Sequence, residues 1–253
     1  MPANIEVLFT PADFAQLPQR DLKDTVCVVF DVLRATSTIV AALANGAAGV
    51  IPVSEIYEAL ALKREQPRLL LAGERNGLRI PAELSEGIPF DLGNSPREFS
   101  REKVEGRTIA TTTTNGTRAL RACQTAKRVL VSSFLNLSAT AQSLRSEPNL
   151  LLVCSGTFEQ LAYEDVLGAG ALYDFLGEQA GLNGLSDSAR IALELYRAAR
   201  ENLVAALGSS RNGRRLLGLP ELSADVEFCA QRDIYPIVTT LNSNGMVQTR
   251  RAA

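Results

Sequence analysis

Residues 25–46 read TVCVVFDVLRATSTIVAALANG, and this stretch changes character along its length in a way that decides the fold. TVCVVFDV (25–32) is a short, nearly continuous apolar run, the signature of a strand buried on both faces. Asp31 closes that run. Residues 39–45 then read as a helix that stops before Gly46, a helix-ending signal. A buried strand that feeds a helix is the repeating half-unit of an α/β sheet.

The same alternation continues along the chain. Residues 50–53 read as a second strand; Ser54 then caps a helix over 55–65, which ends before Pro67. Residues 68–72 form a third strand. The segment 73–105 is rich in Gly, Pro and charge, and loops of that length are usually functional or carry short elements of their own. Strand-like runs return at 107–111, 128–132 and 150–154, each followed by a helical pattern. A long amphipathic helix is expected over 187–207, capped by Ser186 and ended by Gly208, with apolar positions Ile191, Leu195 and Leu203 for a core or for a second copy of the chain. Short helical stretches follow at 213–217 and 224–231. Residues 234–241 make a late strand, and Asn244-Gly245 marks a hairpin turn. These readings predict a three-layer α/β/α fold with a mostly parallel or mixed sheet. One domain over residues 1–253 is expected, and a weak break at 146–149 is where two lobes would divide.

Composition narrows the function. With 46% hydrophobic and 21% charged residues over 253 positions, the chain can bury a substantial core. A net charge of -2 gives no bulk argument for nucleic acid or an acidic membrane surface. There is no apolar run of membrane-spanning length and no signal-peptide pattern at the start, so a reduced, cytoplasmic protein is expected. Cys27, Cys123, Cys154 and Cys229 form neither metal-ligand spacing nor a disulfide framework. The chain has no histidine. That excludes phosphohistidine chemistry, histidine-based triads and zinc sites built on His. Acid–base or metal chemistry must come from carboxylates, hydroxyls, amides, Lys or Arg. The basic residues are almost all arginine, whose fork suits carboxylate and phosphate, although base composition accounts for such a bias equally well.

Three predicted strands end in polar turns: DVLRATST (31–38), TTTTNGT (111–117) and CSGT (154–157). In an open parallel sheet, ligands bind beyond the carboxyl ends of the strands. A parallel sheet would put all three turns on one edge, where hydroxyls, amides and helix-start N–H groups make an anion site. Thr, Ser and Asn at helix starts are often only caps. Four threonines followed by Asn115-Gly116-Thr117 exceed what a cap needs. Asp31 is the sharpest candidate: it would ligate Mg²⁺ or act as a nucleophile, the structural alternative being a salt bridge to Arg34. Glu164 and Asp165 follow the third turn and would be metal ligands on the same edge, or would complement a helix dipole. Glu74 and Asp91 lie in the long Gly-rich stretch and alone mean little.

The common phosphate machinery is missing. There is no GxxxxGK[ST] loop, no Asp-x-Asp at Asp31, no Cys-x5-Arg loop and no GxGxxG. Yet VVFDVLRATSTIV (28–40), AGERNG (72–77), FDLGNSPREF (90–99), TTTTNGTRAL (111–120) and CSGTFEQLAYEDVLGAG (154–170) resemble the 2-phosphosulfolactate phosphatases. The tail segment 209–238 is similar too, through GRRL and DVEFCAQRD. The likeness covers most of the chain in order. It implies a Mg²⁺-dependent phosphatase of α/β/α fold that converts 2-phospho-3-sulfolactate to 3-sulfolactate and phosphate, a step towards coenzyme M. It maps the first motif onto Asp31, Arg34, Thr36 and Ser37, and the second onto Glu74, Arg75, Asn94 and Ser95. It also marks the threonine-rich loop Thr112, Thr113, Thr114, Asn115, Gly116 and Thr117, and the acidic pair Glu164 and Asp165. Ala162 departs from the hydroxyl residue expected before that pair.

The resulting expectation is in-line attack at phosphorus. Mg²⁺ would sit on Asp31 with one or more of Glu74, Glu164 and Asp165; Ser155, Gly156 and the threonine-rich loop would hold phosphate oxygens. Arg34 and Arg75 would grip the substrate's other acidic groups. The competing expectations are a phosphatase for another phosphorylated hydroxy acid, and a non-catalytic protein that binds a phosphorylated metabolite.

Overall fold

The computed structural model describes residues 2, 4–113, 116–177 and 186–250. Thr114 and Asn115 lie outside them. The described strands are β1 (Asn4–Leu8), β2 (Val26–Phe30), β3 (Gly49–Pro52), β4 (Leu70–Arg75), β5 (Leu78–Arg79), β6 (Thr108–Thr112), β7 (Arg128–Ser132), β8 (Asn149–Cys154), β9 (Val238–Leu241) and β10 (Val247–Arg250). The helices are α1 (Pro11–Phe14), α2 (Ala35–Ala44), α3 (Ile56–Glu65), α4 (Arg101–Val104), α5 (Gly116–Ala122), α6 (Leu137–Leu144), α7 (Tyr163–Gly177), α8 (Asp187–Ala199), α9 (Leu203–Ser209), α10 (Arg211–Leu217) and α11 (Ala224–Ala230).

The strands form one mixed, mostly parallel sheet in the order β1-β8-β2-β7-β9-β10-β3-β6-β4-β5. β1, β8, β2 and β7 run parallel to one another, as do β3, β6 and β4. The β9–β10 hairpin joins these halves through antiparallel pairings to β7 and β3. Followed across the hairpin, the pairings give the two halves opposite sense, so the turns after β2 and β8 share one edge, as expected, while the threonine-rich turn after β6 leaves from the opposite one. The turns meet nonetheless: a Cβ on Gly116, just beyond the turn after β6, would lie 2.9 Å from Asp31 Oδ2.

Alternation along the strands feeds two cores. Val26, Val28 and Phe30 pack with α6, α7 and α8, while Cys27 and Val29 pack with α2 and α5 on the other face. All five β2 side chains are buried, as the opening run predicts. A smaller cluster joins Leu60 of α3 to Leu71 of β4 and Ala110 of β6.

Several local expectations change. Helix α2 begins at Ala35, directly after the Asp31 turn, and takes in Thr36 and Ser37. Glu55, not Ser54, caps α3, through a reciprocal box with Glu58. The helix expected over 187–207 is capped by Ser186 but breaks at Arg200–Asn202, because the Asn202 side chain accepts the Ala205 N–H and starts a new helix, α9. Leu203 enters the core, whereas Ile191 and Leu195 stay at the surface. The late strand is shorter than expected, at Val238–Leu241. Among the described residues no helix is long and apolar enough to cross a membrane.

Helix α7 carries the acidic pair and is held against α8 by a close backbone approach. A Cβ on Gly170 would lie 2.1 Å from the Ala192 carbonyl oxygen. The gain in helix propensity from Gly170→Ala, about 1 kcal/mol, is therefore outweighed. A loss of about 1–3 kcal/mol is expected from overpacking, read as a lower urea midpoint.

Candidate active site

Asp31 is the first residue beyond β2, and its turn is closed by its own backbone and by α2. The Asp31 N–H donates to Thr36 Oγ1 (3.1 Å), and Asp31 Oδ1 accepts the Ala35 N–H (3.2 Å). The Ser37 hydroxyl donates to Val32 O (2.8 Å). The two hydroxyls expected to hold phosphate are thus spent inside the turn and do not line the cleft. The Leu33–Arg34 peptide bond in this turn is cis.

The cleft itself has a volume of about 230 Å³ and is lined by Asp31, Arg34, Glu74, Arg75, Asn94 and Thr113 from the expected set. First, third and threonine-rich turns do meet. Gly116 closes on Asp31: a Cβ there would lie 2.9 Å from Asp31 Oδ2. From the third turn it is Thr157 that reaches the cleft. The Gly156 N–H donates to Asp165 Oδ2 (3.1 Å), and Ser155 is buried with its Oγ unpartnered. Thr112 bonds Ser54 O (3.1 Å) and receives Arg75 Nη2 (3.1 Å), so it orients Arg75. Thr117 is buried in the first turn of α5.

The acids occupy different layers. Glu74 lines the cleft, and its Oε2 accepts the Gly77 N–H (2.6 Å). Asp91 turns away, to the Leu71 N–H (2.8 Å). Glu164 and Asp165 are buried behind the cleft. Asp165 bridges the two loops beyond β2 and β8, taking the Val32 N–H (2.8 Å) and the Gly156 N–H. Glu164 Oε1 accepts Asn212 Nδ2 (2.6 Å), while its Oε2 is buried without a hydrogen-bond partner. Among the described residues no three acidic or thiol side chains converge as a ready metal cage. Mg²⁺ does not require one, since it keeps several waters and takes one or two carboxylates. An unpartnered buried carboxylate oxygen beside Asp31 fits such a hard cation.

Crowded acids hold protons tightly. Burial pushes the Asp31 pKa up to about 7, against the Ala35 N–H and with help from the nearby Glu164 and Glu74 charges. Burial likewise raises Asp165 well above the carboxylate range, with Asp31 and Glu164 adding to it. Glu164 is raised by burial and relieved mainly by Asn212.

Arg34 does not pair with Asp31. Its Nη1 donates to Asp225 Oδ2 (2.7 Å) and its Nη2 to Gly77 O (2.6 Å), with both ion-pair side chains buried. Asp225 also accepts the Ser95 hydroxyl (2.6 Å) and Arg97 Nη1 (3.4 Å). Arg34 and Ser95 are therefore anchored by an acid from α11 that the sequence reading passed over. Asn212 and Arg215 of α10 were missed as well, although they lie in the similar tail segment. The available signal was weak: Asp225 is one of two acids, with Glu227, in the helix ADVEFCA, and no short-range pattern ties it to Arg34.

A mostly parallel α/β sheet with a cleft lined by both acids and arginines defines the class. Comparison with known proteins narrows it. The family model described as 2-phosphosulpholactate phosphatase matches residues 13–244. A protein of Thermotoga petrophila, named "Probable 2-phosphosulfolactate phosphatase", is 42% identical over 229 residues, covering 90% of this chain and 94% of its own. One of Caldanaerobacter subterraneus subsp. tengcongensis with the same name is 42% identical over 247 residues, 96% of this chain and 98% of its own. One of Clostridium tetani, again so named, is 34% identical over 97% of this chain and 100% of its own. The chain belongs to the 2-phosphosulpholactate phosphatase family, a family of phosphoric monoester hydrolases.

Two outcomes follow from the electrostatics. Asp225→Ala leaves a buried guanidinium unpaired and is expected to cost about 3–5 kcal/mol, measured by urea unfolding. The pH response has a fixed sign. Asp31 titrates near 7 in the folded chain and near 3.9 when unfolded. The folded state binds the extra proton between these values, so stability falls as pH rises from about 4 through 7. Glu164 and Asp165 shift in the same direction and add to it. The urea midpoint of the protein in EDTA should drop between pH 5 and pH 8, less steeply in Asp31→Asn; a rising midpoint would contradict this assignment.

Proposed function

We propose that this chain hydrolyses 2-phospho-3-sulfolactate to 3-sulfolactate and phosphate with the help of Mg²⁺. One observation carries the reading beyond family membership: Asp31, whose pKa burial pushes up to about 7, faces a cleft backed by the unpartnered Glu164 Oε2 and bordered by arginines. Acids so placed repel one another unless a cation or protons intervene. Asp31 and Glu164 would hold the metal, which when bound supplies positive charge to the ester oxygens. Asp165, with both oxygens on backbone N–H groups, keeps the two loops in position.

The chain's own residues do the rest. Asp31 promotes attack at phosphorus, as nucleophile or as the base that takes a proton from water. Arg75, steadied by Thr112 and by the Glu74 carbonyl (2.8 Å), directs its charge into the cleft. Thr113 and Asn94 offer polar groups to oxyanions there. The substrate is small and acidic, which suits a polar cleft of this size.

Asp31→Asn should lower kcat by about 10²–10⁴-fold or more while the chain stays folded, in a phosphate-release assay on 2-phosphosulfolactate. EDTA should abolish turnover and Mg²⁺ restore it. Full activity in excess EDTA, or in Asp31→Asn, is the result that would sink this reading. Release from other phosphorylated hydroxy acids, but not from this ester, would move the substrate assignment.

A further inference from the structure

Three arginines line the cleft, and they are not equivalent. Arg34 is neutralised by Asp225 and held by Gly77 O. Arg75 is tied to Thr112 and to the Glu74 carbonyl. Arg215 is half-buried against the same cleft, yet among the described residues it makes no hydrogen bond or ion pair. A guanidinium left without an acceptor in a partly buried wall is costly, and it is relieved by an oxyanion.

Its position is nonetheless fixed. Asn212, one turn earlier on α10, donates to Glu164 Oε1 (2.6 Å) and Thr157 Oγ1 (2.8 Å). Helix α10 is capped by Ser210, and it sits so tightly on α9 that a Cβ on Gly213 would be 1.9 Å from Leu207 O. The guanidinium itself lies along Gly77, where a Cβ would be 3.6–3.7 Å from Nη2, Cζ and Nε alike. Gly77 has φ +82° and also engages Glu74 and Arg34, so one left-handed glycine gathers three charged cleft residues.

We propose that Arg215 is the specificity residue that binds the substrate's acidic group remote from phosphorus, a carboxylate or sulfonate. This rests on the phosphatase reading. The phosphate end belongs with Asp31, Glu164 and Thr113. A second anionic group needs a cation not already compensated within the protein. The role expected of Arg34 therefore passes to Arg215, and Arg34 becomes part of the frame.

The test uses the full chain with Mg²⁺, the wild type beside Arg215→Gln and Arg215→Lys. Charge-assisted hydrogen bonds set the expected scale at roughly 10- to 100-fold. Arg215→Gln should raise KM for 2-phosphosulfolactate by that factor, more than it lowers kcat. In calorimetry it should weaken 3-sulfolactate binding similarly and inorganic phosphate binding less, and Arg215→Lys should recover part of the loss. Unchanged KM and unchanged 3-sulfolactate affinity in Arg215→Gln would overturn the assignment. An equal loss on inorganic phosphate would overturn it too, by making Arg215 part of the phosphate grip. If the wild type binds 3-sulfolactate through Arg215 but releases no phosphate, the hydrolase reading falls and the Arg215 assignment stands. If it binds neither compound, both fall.

Discussion

The Asp165 carboxylate is the interaction on which the site depends. Its two oxygens take the N–H groups of Val32 and Gly156, so one buried side chain on α7 fixes the loops beyond β2 and β8 relative to each other. Those N–H groups are too weak to offset burial beside Asp31 and Glu164, and the carboxyl holds its proton tightly. The protein accepts this cost next to its cleft, as functional sites commonly do. What makes it bearable is a stiff support: α7 is buried along most of its length and packed against α8 at Gly170.

The second constraint is topological. The β9–β10 hairpin, from the end of the chain, sits between halves built from its beginning and middle. It reverses the sense of the sheet, yet the ends of β4 and β6 still reach the turn after β2, where Glu74 and Thr113 line one cleft with Asp31. The same C-terminal region supplies Asn212, Arg215 and Asp225. Residues after 209 thus both close the sheet and complete the cleft, so the site exists only once distant parts of the chain have met.

These facts explain what could be read from the sequence. Strand β2 and the polar turns were legible because period and local composition report burial and helix starts directly. Asp31 was legible because a carboxylate closing a buried run has few structural uses. The fates of Thr36 and Ser37 were not, since whether a hydroxyl bonds its own turn or a ligand depends on a rotamer, and local composition is the same in both cases. The Arg34–Asp225 pair spans 191 positions and left no short-range pattern. The break after Ala199 was hidden because Asn202 begins a new helix without interrupting the apolar spacing. The common edge expected for the turns held for those after β2 and β8 and failed for the one after β6, because a hairpin between parallel halves is invisible to a strand-by-strand reading.

The chain's preference for arginine can now be divided by geometry. Exposed pairs such as Arg101–Glu105 need only a positive charge, and lysine would serve there. Arg34 must reach a carboxylate and a carbonyl at once, and Arg75 a carbonyl and a hydroxyl, which requires a planar fork. In the cleft, therefore, arginine is a structural requirement whatever the base composition. Because both forks are occupied within the protein, they hold the walls of the cleft in place, and among the described residues Arg215 is the cleft guanidinium left without a protein acceptor.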